Sequence, residues 1–232
     1  MPYTMLRIEE LIKLLLDQNA LLFGEFTLKS GKKSPYYVNL AKLIKTGKGF
    51  SKISATLAGY INANFLDKNL PEERRVDPDN LFLFGPAYKG IPMAGGVAYA
   101  LFEMYDINVR WGFNRKEAKL HGDSDDLYLM GEMREDDSVI ILDDVLTTGM
   151  TKLAARDDLI KFTGFKNLNF IAVVALIDRF EGGLPLRQQI DAFGVMRIDN
   201  LVRKCYEKEW ISKEEHDAFF DYFNKHGLVE NK

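Results

Sequence analysis

Apolar residues recur at helical spacing from Met5 to Asn19, with Leu6, Ile8, Leu11, Ile12, Leu15 and Leu16 on one side. This stretch predicts an amphipathic helix. Phe26–Leu40 reads as extended, with a turn at Ser30-Gly31-Lys32 and Pro35 opposing a helix. Helical spacing returns over Phe50–Leu66, and Leu70–Asn80, with Pro71 and Pro78 among charged residues, predicts an exposed connection. An alternation then begins. Strands are predicted at Leu81–Phe84, Asn108–Phe113, Ser138–Leu142, Leu168–Ile177 and Ala192–Ile198. Helices are predicted at Ile91–Met104, about Thr151–Phe162, and Leu201–Phe223 with a break near Ser212. Strands alternating with helices imply an α/β chain with a parallel sheet and right-handed crossovers. Ligands of such sheets bind beyond the carboxyl ends of the strands. The turns after Phe84, Phe113, Leu142 and Ile177 are therefore expected to gather on one edge.

Composition narrows the function classes. The chain has 232 residues, 47% of them hydrophobic, enough to bury a core without disulfides or a structural metal. A single cysteine, Cys205, excludes an intrachain disulfide and favours a reducing compartment. The formal net charge of −3 argues against nucleic acid or an anionic membrane as partner, so any anionic ligand needs a local cluster of cations. Arg7, Glu9, Glu10 and Lys13 interrupt the first residues and speak against a signal peptide. No apolar run approaches the roughly 20 residues of a membrane span. A cytoplasmic protein is expected.

The most informative stretch runs from Val139 to Thr151. Val139-Ile140-Ile141-Leu142 is a buried strand, ending in Asp143 and Asp144, whose side chains alternate in direction and so face different partners. Thr147, Thr148 and Gly149 then turn into a helix. Such a turn offers several backbone N–H groups and the positive end of the helix dipole, which suits a phosphate dianion. The carboxylates would repel that phosphate, so they are aimed at neutral hydroxyls or a metal. A ribose 5-phosphate carries a vicinal diol beside its phosphate and matches both features. A response-regulator receiver also gathers acids at strand ends but has no use for Thr-Thr-Gly.

This stretch resembles the diphosphoribosyl-binding motif of the type I phosphoribosyltransferases. Three further segments occur in family order: Gly24–Tyr37, Phe84–Pro92 and Phe113–Gly122. Together the four look like the orotate phosphoribosyltransferase family, from about Leu21 to Arg179. The resemblance implies transfer of a 5-phosphoribosyl group from 5-phosphoribosyl 1-diphosphate to orotate, giving orotidine 5'-monophosphate and diphosphate in pyrimidine biosynthesis. It also implies Mg²⁺, a homodimer, and a five-stranded parallel core sheet flanked by helices with a small N-terminal hood. One domain over 1–232 is expected, with a hood of about 1–45, a core of about 46–200 and a helical tail over 201–232.

The resemblance assigns roles residue by residue. Tyr88 and Lys89 form a diphosphate-binding loop. Arg115, Lys116, Lys119 and His121 belong to a mobile lid that closes partly over the neighbouring subunit's site. Val145, Leu146, Thr147, Thr148, Gly149, Met150 and Thr151 cradle the phosphate. Lys29, shared between subunits with the lid, reaches substrate. Tyr37, Val38, Thr147 and Arg179 serve orotate, and the planar fork of arginine suits a carboxylate. Asp143, Asp144, Lys119 and His121 are the catalytic candidates. No direct protein ligand to the metal is expected; Asp143 and Asp144 would reach it through water.

Two departures stand out. Met150 occupies a position where the family usually has a small or hydroxyl residue. Extra residues at 66–80 and 128–137 are expected to lie in loops without altering the sheet. Two rivals keep the ribose site: a transferase for another base, which would lack the Lys29–Tyr37 segment and the context of Arg179, and a non-catalytic regulator, which would lose the lid cations.

Overall fold

The computed structural model describes residues 6–28, 31–115, 128–180 and 184–226. Lys29, Lys116, Lys119 and His121 lie outside these residues. Helix α1 (Leu6–Asp17) buries Leu11, Ile12 and Leu15, as its spacing predicts. Strands β1 (Leu21–Thr27) and β2 (Lys33–Val38) pair antiparallel, from Leu21 opposite Val38 to Thr27 opposite Lys33. The pairing begins ahead of the extended stretch predicted from Phe26. The register shifts between Phe23 and Phe26, and such a bulge breaks the period-two pattern that marks a strand in sequence. Short helix α2 (Ala41–Ile44) and helix α3 (Gly47–Ile61) follow. The Thr46 hydroxyl accepts the Gly49 N–H at 3.2 Å and caps α3. A π-helical turn, Asn62–Leu66, extends α3 to the predicted boundary.

The core sheet contains β3 (Leu81–Phe84), β4 (Arg110–Asn114), β5 (Leu129–Met130), β6 (Ser138–Leu146), β7 (Asn169–Asp178) and β8 (Ala192–Arg197), in the order β5-β4-β3-β6-β7-β8. β4, β3, β6, β7 and β8 run parallel, and β5 is antiparallel to β4. The expectation that the extra residues at 128–137 leave the sheet unaltered is corrected: they add β5 to its edge. Two residues are too few to show a periodicity. The segment is pinned by Asp137, which is 1% exposed and ion-paired with Arg110. The same guanidinium donates to the Glu132 carbonyl at 2.9 Å and the Asp79 carbonyl at 2.7 Å, so one arginine ties both extra segments to β4.

Helices α4 (Gly90–Tyr105), α5 (Met150–Thr163), α6 (Leu184–Arg187), α7 (Ile198–Glu207) and α8 (Lys213–His226) complete the described elements. The central strands sort their side chains by period two. Leu81, Leu83, Ile140 and Leu142 pack with Leu57 and Ile61 of α3 and Met93 and Val97 of α4. Phe82, Phe84, Val139 and Ile141 pack with Leu153 and Leu159 of α5 and Leu186 of α6. Both faces are covered, which is why these strands read as unbroken apolar runs. Each fully buried Leu, Ile or Phe contributes about 1.5–3 kcal/mol. On the hood side, Phe219 of α8 is buried and meets the Tyr36 ring edge-on, with centroids 5.1 Å apart. The helical tail therefore packs against the β1–β2 hairpin.

The connection from β3 through α4 leads to β4 on one side, and that from β6 through α5 leads to β7 on the other. The strand order thus reverses between β3 and β6. A crevice opens at such a switch point, beyond the carboxyl ends of the two strands.

Candidate active site

A cleft of about 870 Å³ occupies that crevice. The turn after β3 supplies Tyr88 and Lys89, β6 supplies Asp143 and Asp144, α5 supplies Thr151 and Lys152, and Arg115 stands at the end of β4. β6 continues to Leu146 rather than ending at Leu142. The acids therefore lie on the strand, which fixes their directions by its pleat.

Each carboxylate is held the same way. Asp143 accepts the Asp144 N–H at 2.8 Å on one oxygen and the Lys152 ammonium at 2.5 Å on the other. Asp144 accepts the Val145 N–H at 2.8 Å on one oxygen and the Lys89 ammonium at 2.7 Å on the other. The two lysines come from helices on opposite faces of the sheet, Lys152 from α5 and Lys89 from the start of α4. An ionised carboxylate has about four acceptor sites, so each acid keeps lone pairs for a ligand.

The electrostatics are asymmetric. Burial, and then the charge of Asp143, raise the Asp144 pKa above the ordinary carboxylate value; the bond from Lys89 opposes them. Burial pulls the Lys89 pKa down, but the hydrogen bond to Asp144 and the charges of Asp144 and Asp143 outweigh it, and the net shift is upward.

The turn from β6 into α5 is shaped by Gly149, with φ +75°. A β-carbon there would come 2.3 Å from Leu186, so both backbone conformation and packing require glycine. As the N-cap of α5, Gly149 brings no side chain to the first-turn N–H groups; its carbonyl accepts the Lys152 N–H at 2.9 Å, and the Met150 and Thr151 N–H groups are left to an anion. Thr147 is half-buried, Thr148 and Met150 are exposed, and Thr151 lines the cleft. The Val145 N–H, the Val145 carbonyl and the Leu146 carbonyl are engaged by Asp144, Lys152 and the Arg179 N–H. The unassigned backbone donors of the turn thus begin at Thr147. Gly90 serves packing: a β-carbon would meet Gly85 at 2.7 Å and the Leu142 carbonyl at 2.8 Å, so glycine lets α4 start directly against β6.

Arg179 and the hood meet. The Arg179 guanidinium donates to the Tyr36 hydroxyl at 2.9 Å and lies 4.9 Å from that ring's centroid. Tyr37, next along β2, faces the other way, is 40% exposed, and stacks on Phe26 at 5.7 Å. The Val38 side chain packs against the core. Arg115 is turned onto the extra segment: its backbone N–H donates to the Tyr128 carbonyl at 2.7 Å and its guanidinium reaches the Met130 sulfur at 2.8 Å. Tyr128 stacks on Phe162 of α5 with centroids 4.3 Å apart. Burial and the charge of Asp158 push its hydroxyl up to about 12.

Three residues that sequence reasoning passed over hold this arrangement. Lys152 carries a legible signal, a lysine in the first turn of a helix where the dipole disfavours a cation. Tyr36 is marked only by alternation with Tyr37. Asn114, whose side-chain oxygen accepts the Ala87 N–H at 2.8 Å, has no local signal.

A family model described as the phosphoribosyl transferase domain matches residues 44–196. An orotate phosphoribosyltransferase of Clostridium acetobutylicum is 32% identical to the chain over 95% of this chain and 97% of its own. That of Proteus mirabilis is 36% identical over 87% and 89%. The crystal structure of the orotate phosphoribosyltransferase from Francisella tularensis superposes with a TM-score of 0.74 at 27% identity, covering 94% of this chain and all of that one. The strand order, the acid pair at the switch point and these matches agree: the chain belongs to the orotate phosphoribosyltransferase family of type I phosphoribosyltransferases.

Proposed function

We propose that this site transfers the 5-phosphoribosyl group of 5-phosphoribosyl 1-diphosphate to a ring nitrogen of orotate, a step of pyrimidine biosynthesis. The carrying observation is the placement of Asp143 and Asp144 at the switch point, beside an uncapped helix N-terminus and within reach of Lys89. The phosphate is taken by Thr147–Thr151 and the ribose diol by the acids. Lys89, with Tyr88 beside it, exchanges Asp144 for the diphosphate when substrate enters. Arg179 and the backbone at Tyr37 and Val38 receive orotate, whose carboxylate suits the guanidinium.

As the bond to diphosphate breaks, positive charge develops on the sugar and negative charge on the leaving group. The neighbouring carboxylates favour the first. Lys89 and the lid cations Arg115, Lys116, Lys119 and His121 favour the second. Orotate reacts as its anion, so positioning does much of the work. The donor set fits a Mg²⁺ brought by the diphosphate: both acids already have lysine partners, so Asp143 and Asp144 would hold the ion through water. When bound, the ion supplies neutralisation of leaving-group charge.

The protein is proposed to act as a homodimer whose lid and Lys29 are shared between subunits. The test is an assay with orotate, 5-phosphoribosyl 1-diphosphate and Mg²⁺, following loss of orotate absorbance and release of diphosphate. Turnover of orotate with none of adenine or hypoxanthine is the expected result. Turnover of a purine instead would overturn the reading.

A further inference from the structure

Among the cations of the cleft, Lys152 is the anomaly. Its side chain is 7% exposed, against 54% for Lys89. It stands in the first turn of α5, near the positive end of the helix dipole. Burial also works against a charged ammonium. Two unfavourable terms therefore act on one residue, and an apolar side chain at this inward position of the helix would avoid both. What offsets them is contact: the ammonium lies 2.5 Å from the Asp143 carboxylate and donates to the Val145 carbonyl at 3.3 Å.

We propose that Lys152 is a positioning residue: it clamps the Asp143 carboxylate and the backbone at Val145 into one frame with the first turn of α5. This inference rests on the reading of Asp143 as an acid of the ribose site. The clamp spans the two parts of that site, since its ammonium grips the acid and its backbone belongs to the phosphate turn. With one Asp143 oxygen on the Asp144 N–H and the other on Lys152, the carboxylate plane is set from both ends. Each oxygen keeps one lone pair, in a plane that the two partners hold fixed.

The two acids of the motif then have different mobilities built in. The partner of Asp144 is a half-exposed lysine that an incoming diphosphate can draw away. The partner of Asp143 is buried and stays through the cycle. Lys152 touches no substrate in this scheme and acts through Asp143, so it is not a catalytic residue.

The experiment compares wild type, Lys152→Met, Lys152→Arg, Asp143→Asn and the double variant Lys152→Met/Asp143→Asn. Methionine keeps an unbranched stem and removes the charge. Steady-state kinetics are measured against each substrate separately. Lys152→Met is expected to lower kcat/KM for 5-phosphoribosyl 1-diphosphate by about tenfold to a hundredfold, the scale of an ångström-sized misplacement. KM for orotate is expected to stay within about twofold, because the Lys152 ammonium contacts Asp143 and the Val145 carbonyl and none of the side chains assigned to orotate. Lys152→Arg is expected to recover most of the loss. The double variant is expected to be no worse than Asp143→Asn alone, because the lysine acts only through that acid.

The double variant also protects the test against misfolding, since it leaves a neutral pair with no unmatched buried charge. Multiplicative losses in the double variant would overturn the clamp, as would a parallel rise in KM for both substrates, a Lys152→Met enzyme with wild-type kcat/KM, or a Lys152→Arg enzyme no better than Lys152→Met. An active wild type with an insensitive Lys152→Met sinks the clamp alone. A wild type that does not turn over orotate sinks the proposed function, and the clamp with it.

Discussion

Asp143 and Asp144 are chemically identical neighbours, and the strand pleat sends them to opposite faces of the sheet. One meets a buried lysine of α5, the other a half-exposed lysine at the start of α4. Identical side chains thus acquire different partners and different electrostatics from their surroundings. Cys205 shows the same dependence in a simpler form. It is fully buried in α7, and burial pushes its thiol up to about 12. The unfolded thiol ionises near its ordinary value of about 8.5. Between those values the folded state keeps a proton that the unfolded state has released, so stability falls as pH rises, by up to about 1.4 kcal/mol per pH unit. Urea unfolding at about pH 8 and about pH 10 checks this: wild type is expected to lose ~1–2 kcal/mol more than Cys205→Ala over that interval. Equal losses would show that the thiol ionises in the folded state.

At the scale of elements, β6 and α5 act as one unit. The strand carries the acids, the turn exposes N–H groups, and the helix returns Lys152 beneath them. The edge of the sheet is organised differently. β5 is only Leu129–Met130, and its short pairing with β4 is reinforced by Arg110, which reaches the buried Asp137 and the carbonyls of Glu132 and Asp79. Breaking a buried ion pair from one side costs about 3–5 kcal/mol, because the abandoned charge stays desolvated. Arg110→Ala is expected to approach that loss in urea unfolding, and Arg110→Ala/Asp137→Ala to recover part of it. A loss below about 1 kcal/mol, the worth of an exposed pair, would mean that the edge is held by something else. The segment also reaches the site, since Tyr128 stacks on Phe162 of α5 and takes up Arg115. The extra residues therefore brace the helix that follows the β6–α5 turn.

At the scale of the molecule, hood, sheet and tail meet at one tyrosine. Hood and sheet are joined by Arg179 on Tyr36, and the tail locks the hood by Phe219 on the same ring. No described helix is long and apolar enough to cross a membrane. On the far side of α4, Tyr99 and Phe102 are 66% and 52% exposed, and Trp111 of β4 lies over Gly95 of the same helix. Large exposed aromatics grouped on two adjoining elements mark an interaction surface, and the proposed homodimer gives them a partner. The 26.5 kDa chain is expected to sediment as a dimer, and Tyr99→Glu/Phe102→Glu as a monomer with reduced turnover. A wild type that stays monomeric at micromolar concentration would overturn the shared lid.

Much of this was legible in the residues alone. The apolar runs of β3, β6 and β7 announced strands buried on both faces, and Asp143-Asp144 followed by Thr147-Thr148-Gly149 announced a strand end carrying two acids that turns into a helix N-terminus, because strand pleat and helix-terminal N–H groups are local properties of backbone. β1 and β5 were not legible: one is broken by a bulge, and the other is two residues held by a distant arginine. The same division runs through the site. Local sequence determined which groups stand on the β6–α5 turn. Only the tertiary structure decided which lysine meets which acid, that Gly90 serves helix packing, and that Arg179 rests on Tyr36. Those pairings join residues far apart in the chain, and their energies depend on burial, which exists only once helices have covered both faces of the sheet.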